Sequence, residues 1–190
     1  MNFVRSSNGD VVTFGYSPNN QITFSESVTE VAALTATFVY QGATLVDSVF
    51  GAIPANWKQG NTSITQLTLG TSVTTIGTRA FSGCSNLSGS LTIPNNVTSI
   101  GSYAFSYCNN LGATLTIGSG VTSIGSYAFY ICTSLTTVLC YVTKTILDAT
   151  NCFLVTNIST IRARATDGTW TAGAGQTIAG KSGITVIKNL

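Results

Sequence analysis

Histidine is absent from this 190-residue chain, and Asp, Glu, Lys and Arg together make up only 7% of it, about a quarter of the usual share. Without histidine the commonest general base is missing, and Ser-His or Cys-His nucleophile pairs cannot form. The six carboxylates, Asp10, Glu26, Glu30, Asp47, Asp148 and Asp167, are scattered and have no partner at motif spacing. From Ala80 to Thr143 there is no charged residue at all, so solubility there must come from Ser, Thr, Asn, Gly and tyrosine hydroxyls. A net charge of +2 is too small to suggest nucleic acid, which needs clustered Lys or Arg. Arg162 and Arg164, the one close basic pair, read as a solvated strand edge. No stretch approaches the ~18 consecutive apolar residues of a membrane span. Residues 1–10 lack a basic segment followed by an apolar run, so export by the usual secretory signal is not expected. Five cysteines cannot all pair within one chain. With no C-x-x-C and no histidine, most zinc arrangements are excluded as well. Free, buried thiols acting as small hydrophobes are expected. No catalytic residue, metal or cofactor is expected, and the chain does not read as an enzyme.

What the chain does contain is one short pattern written three times between Ile64 and Thr137. Leu67-Thr-Leu69, Leu91-Thr-Ile93 and Leu115-Thr-Ile117 are followed by Val73-Thr-Thr-Ile76, Val97-Thr-Ser-Ile100 and Val121-Thr-Ser-Ile124. Ala80-Phe81, Ala104-Phe105 and Ala128-Phe129 come next, then Cys84, Cys108 and Cys132, then Leu87, Leu111 and Leu135. Every one of these columns recurs at the same spacing, the step from Cys84 to Cys108 and from Cys108 to Cys132. A fixed period of this size marks a solenoid, in which a unit buries its apolar edge only when a neighbour stacks on it. Gly77, Gly101 and Gly125 recur where each unit is expected to turn, and nothing resembles a phosphate loop. Stacking would place Phe81, Phe105, Phe129 and Phe153 in one inner aromatic column.

The order leucine, strand, "V-T-S-I-G", "A-F", cysteine, leucine resembles the BspA-type leucine-rich repeat over about residues 64–161. A weaker fourth unit begins at Leu135, Val138 and Cys140 and keeps Phe153, and a fifth strand signal lies at Ile158, Ile161 and Ala163. The resemblance implies an α+β solenoid, a right-handed coil with short parallel strands and short helical turns. It also implies a β-rich N-terminal cap and an irregular C-terminal cap.

The expected organisation is an N-terminal β-rich segment and cap at 1–63, itself a docking region or a separate domain, the repeat solenoid at 64–163, and a C-terminal cap at 164–190. Alternation around Ser17-Pro-Asn-Asn20 predicts a hairpin with Val12, Phe14 and Tyr16 on one face. Ser27-Val-Thr-Glu30 suits either a capping box or a strand. Residues 35–39 and 43–46 read as extended pieces around Gln41-Gly42, and 47–53 as a turn of helix stopped by Pro54. Trp57 is expected to cover the first repeat, and Trp170 the far end before a last strand at 184–187.

Function is then left to the surface. Thr68, Thr92 and Thr116, beside Gln66, Ser90 and Thr114, are expected to form an uncharged row on the concave face. Thr74, Thr98 and Thr122 form a second row on the other short strand. Threonine also simply suits exposed β positions. Tyr103, Tyr107, Tyr127 and Tyr130 add amphipathic contact groups of the kind enriched at interfaces. The resulting expectation is a structural or binding protein of a virus particle, such as a head decoration, fibre or tail component, contacting other virion proteins or a host-surface protein or glycan. The alternative is a BspA-like adhesin on a bacterial surface, with ice binding as a further, smaller alternative. Self-association is expected from the uncharged face and open edges. Asn61, Asn86, Asn96 and Asn157 begin N-x-Ser/Thr triplets, which chance explains in so Ser/Thr-rich a chain.

Overall fold

The computed structural model describes residues 52–190 except 72 and 149, and before residue 52 only the backbone of six short strands. Of these, β1 (Val4–Arg5) pairs antiparallel with β2 (Val11–Val12), and β3 (Gly15–Tyr16) with β4 (Ile22–Thr23) on either side of the Ser17–Asn20 sequence. β5 (Thr35–Tyr40) and β6 (Ala43–Ser48) form a hairpin across Gln41-Gly42. The alternatives at Ser27–Glu30 and the face assigned to Val12, Phe14 and Tyr16 lie outside the described residues. Of the expected turn of helix over 47–53, the residues described, 47–48 and 52–53, are strand, and 49–51 lie outside the described residues. β6 runs through Ser48, and β7 (Ala52–Ile53) is a strand that pairs parallel with β9 (Thr75–Ile76), burying Ile53 in the core.

From here each turn of the coil has three sides. The first is a longer strand: β8 (Ile64–Thr68), β10 (Gly89–Ile93), β12 (Leu111–Ile117), β14 (Thr137–Cys140), β15 (Thr160–Ala163) and β17 (Lys181–Lys188). The strands from β10 to β17 pair in parallel, in the order β10-β12-β14-β15-β17, and β16 (Gly173–Ile178) closes the far edge antiparallel to β17. β8 stands apart from this sheet and pairs antiparallel with β5. The second side is a two-residue strand, and β7, β9, β11 (Ser99–Ile100) and β13 (Ser123–Ile124) form a four-stranded parallel sheet. After β13 the five-residue helix α1 (Lys144–Asp148) replaces the short strand.

The third side, where the repeat implied short helical turns, is a run of overlapping tight turns, so helix contributes little to this coil. Locally, Ala80 N–H donates to Gly77 O at 3.2 Å and Cys84 N–H to Phe81 O at 3.1 Å. Alternate N–H groups point to the next turn instead: Arg79 N–H donates to Ser102 O (3.0 Å), Phe81 to Ala104 O (2.8 Å) and Gly83 to Ser106 O (2.8 Å), and Tyr103, Phe105 and Tyr107 repeat the pattern one turn later. Left-handed residues break any helix, with φ of 55° at Arg79, 58° at Tyr103 and 61° at Tyr127. The backbone's hydrogen bonds are thus satisfied between turns on all three sides.

Inside, Phe81 and Phe105 stack at 5.1 Å between centroids and 8° between planes, and Phe105 and Phe129 at 5.4 Å and 2°. Phe153 continues the column at 5.8 Å but tilts by 36°. Each buried ring contributes roughly 1.5–3 kcal/mol through burial. Trp57 meets Phe81 edge-on at 5.8 Å and covers the start of the column, as expected. Trp170, after β15, is buried, its Nε1–H donating to Val142 O at 3.0 Å.

Gly77, Gly101 and Gly125 are structural for a reason other than the expected turn. None has a positive φ; instead, a Cβ at Gly101 would lie 2.4 Å from Thr78 N, and one at Gly125 2.3 Å from Ser102 N. Successive turns touch backbone to backbone at these glycines, and there is no room for a methyl group between them.

Candidate binding surfaces

None of the five cysteines is in a disulfide, and all are buried. Cys84, Cys108 and Cys132 donate their S–H groups to Lys58 O (3.2 Å), Phe81 O (3.2 Å) and Phe105 O (3.0 Å) of the preceding turn. Burial pushes the thiols up, to about 11 for Cys84 and about 12 for Cys132 and Cys140, and Cys108 rises as well. Burial thus favours the protonated form of these four thiols near neutral pH. Among the described residues, no three His, Cys, Asp or Glu side chains come together as a metal site, and no helix is long and apolar enough to cross a membrane. The polar, outward-facing parts of the coil are therefore the candidates for function.

The ten residues singled out in the sequence divide among three places. Gln66 and Thr68 are exposed on β8, opposite Val39 and Thr37 of β5, and so belong to the N-terminal three-stranded sheet. Thr92 and Thr116 are direct neighbours on β10 and β12, with Thr114 one step away, whereas Ser90 sits where the pairing register shifts between Gly89 and Leu91. The third group, the tyrosines, lies on the turn side of the coil.

Along the long sheet the threonine row does not follow the period of the central copies. Thr114 pairs with Thr137, Thr137 with Thr160 and Thr160 with Thr185. The first two steps fall just short of that period and the last just exceeds it, so a strict repeat could not find the last three members. The next row starts as Thr92 and Thr116 but continues as Leu139, Arg162 and Ile187. Arg162 Nε–H donates to Asn189 Oδ1 at 3.0 Å. Thr74, Thr98 and Thr122 fall just before the short strands and not within them, and their hydroxyls are occupied: Thr98 Oγ1 donates to Thr74 O (3.1 Å) and Thr122 Oγ1 to Thr98 O (3.0 Å).

On the turn side the four tyrosines form one connected network. Tyr103 and Tyr127 stack at 5.2 Å and 25°; Tyr127 meets Tyr130 edge-on at 5.6 Å, and Tyr130 meets Tyr107 edge-on at 5.5 Å. The Arg79 guanidinium lies 5.0 Å from the Tyr103 ring and ends the network with a cation–π contact. Two backbone columns with left-handed φ carry this surface. One is Asn56, Arg79, Tyr103 and Tyr127; the other is Gly60 (71°), Gly83 (77°), Tyr107 (60°), Ile131 (58°) and Val155 (58°). A left-handed L-residue costs roughly 1–2 kcal/mol, least tolerably for β-branched side chains. Ile131 and Val155 escaped the sequence reading because nothing in their local sequence marks a left-handed backbone.

A family model described as a BspA type leucine rich repeat region matches residues 53–170 in six copies. Among solved structures, the crystal structure of a T. pallidum leucine-rich repeat protein matches with 19% identity and a TM-score of 0.49, covering 80% of this chain and 68% of that one. No curated protein matches. The matched copies begin at Ile53, where β7 starts the short parallel sheet, and reach Trp170, which is buried and bonded to Val142 O. The chain belongs to the BspA-type leucine-rich repeat family.

Proposed function

We propose that the chain is a non-catalytic binding module that contacts a protein partner through its tyrosine side. The observation that carries this reading is the connected network of Tyr103, Tyr107, Tyr127 and Tyr130, whose one charged neighbour along the network is Arg79 on Tyr103, with Tyr107 47% exposed. Tyrosines bring large contact area at low entropic cost and keep a hydroxyl for hydrogen bonding, which is why interfaces favour them. The threonine row of the long sheet supports the reading less strongly, because exposed strands favour threonine without any partner.

Two settings fit such a module. As a component of a virus particle it would hold neighbouring virion proteins or a host-surface protein or glycan; as an adhesin it would do so from a bacterial surface. Proteins with this repeat are often found on bacterial surfaces, which supports the second setting. The contact itself is tested by immobilising the full chain and measuring retention of a partner from extracts of its native source, beside the paired variant Tyr103→Ser/Tyr127→Ser. The pair should lower retention at least about tenfold. Retention that survives the pair and is lost on changing Thr114 and Thr137 would move the contact to the long sheet. Copurification with intact particles, or with cell envelopes, separates the two settings.

A further inference from the structure

We infer that the turn side also binds a second copy of this chain, in an antiparallel, two-fold pairing centred on Ile131. The inference rests on the reading of that side as a contact surface but adds the occupant and residues not yet assigned a role. The observation is an apparent waste of stability. The column Gly83, Tyr107, Ile131 and Val155 has left-handed backbone at every member, a conformation glycine adopts without strain. Gly83 and, one turn earlier, Gly60 are glycine there. The next three carry bulky side chains, and these side chains do not build the core: Tyr107 is 47% exposed, Val155 51%, and Ile131 half-buried. Side chains that strain the backbone and stay in water are accounted for by contact with something outside the chain.

The chemistry along the column suits a second copy. It passes from aromatic at Tyr107 to aliphatic at Ile131 and Val155, one residue per turn of the coil. Laid antiparallel with the axis at Ile131, one copy sets its Tyr107 on the other's Val155, and the reverse, with Ile131 on Ile131. An isologous interface requires this kind of self-complementarity. Because no charged residue occurs between Ala80 and Thr143, the part of the face around Tyr107 and Ile131 brings no ionic repulsion, and the charges nearest to it in the chain are Arg79 on one side and Lys144 and Asp148 on the other. Exposed Tyr107 and Val155, with the partly exposed Tyr103, Tyr127, Tyr130, Ile131 and Leu154, offer at most roughly 500 Å² per copy, so that a pair buries up to about 1,000 Å², the size of a weak, reversible contact. Association through it is therefore expected only at high protein concentration.

Sedimentation velocity of the full chain from micromolar to millimolar concentration should show a monomer–dimer equilibrium. Val155→Gly and Tyr107→Gly should each weaken it about tenfold while leaving the melting temperature unchanged or raised, because each relieves a left-handed residue. Ile131→Lys and Ile131→Glu should each be monomeric alone, yet associate when mixed, since the axis then sets opposite charges together. A monomer at every concentration would overturn the inference, as would a dimer indifferent to these changes or a mixture that fails to associate. The proposed partner contact is judged separately, by retention with the Tyr103→Ser/Tyr127→Ser pair.

Discussion

The three central copies and the turns that follow them are built from the same apolar columns but achieve different order. In the central copies the spacing is uniform, and the Phe81, Phe105 and Phe129 rings lie within 8° of parallel. Beyond Leu135 the spacing of strand partners falls short of that period or overshoots it, α1 takes the place of a short strand, and Phe153 tilts by 36°. Charge returns in the same region, with Lys144, Arg162, Arg164, Asp167, Lys181 and Lys188. Identical units stack identical groups, so every contact repeats. Once the unit length changes, the long sheet is still preserved, because its parallel strands pair with whatever length of chain connects them, whereas the side opposite must absorb the difference. The long sheet therefore continues through β14, β15 and β17, while the short sheet ends at β13.

The sharpest way to break the central order is Gly101→Ala. Its methyl group would collide with the backbone of Thr78, and prising two turns apart should cost at least about 4 kcal/mol. Thermal unfolding monitored by circular dichroism should lose most of its cooperative transition; a melting temperature close to the parent's would mean that the turns are not in backbone contact there. Next comes Phe105→Ala, which removes a ring packed on both faces and should cost about 4 kcal/mol, against about 3 kcal/mol for Phe153→Ala at the tilted end. Equal losses in urea titrations would remove the distinction between the two regions.

Both regions bury thiols, so alkaline pH should weaken both. In the unfolded chain the cysteines ionise near pH 9, whereas in the fold burial holds Cys84 at about 11 and Cys132 and Cys140 at about 12. A folded value above the unfolded one means that the stabilisation is complete below about pH 9 and is lost as pH rises towards 11–12. Chemical denaturation midpoints should thus fall steadily above pH 9, and substituting Ser for Cys132 should flatten part of that slope. A slope that Cys132→Ser leaves untouched would assign the alkaline loss to other groups. The smallest effect expected is that of Thr122→Val, which removes the hydroxyl bonded to Thr98 O and should cost about 1 kcal/mol. A change beyond about 2 kcal/mol would show that the threonine row supports the coil more than a single exposed bond can.

Much of the coil was legible before any coordinates, and for one reason: a solenoid writes its contacts as a period. The inner phenylalanine column, the buried thiols and the covering Trp57 follow from residues recurring in step, or from the need to close the open start of a stack. Where the step changed, legibility ended. Thr137, Thr160 and Thr185 continue the row begun at Thr114, yet only the strand register brings them together. Gln66 and Thr68 keep the period but leave the row, because β8 is claimed by the antiparallel β5.

The repeated sequence by itself determined that this chain coils, which side chains fill the coil, and that its middle is neutral. Tertiary structure alone decided the turn side. The Ala-Phe segment's short-range pattern is compatible with helix, but hydrogen bonds to the next turn outcompete those within it, since alternate N–H groups find acceptors in the neighbouring backbone, as Phe81 does at Ala104 O and Phe105 at Ala128 O. That choice forces residues such as Tyr107, Ile131 and Val155 into left-handed backbone and turns them towards solvent. A backbone conformation imposed by the next turn, a full unit further along the chain, leaves no mark in the residues that adopt it.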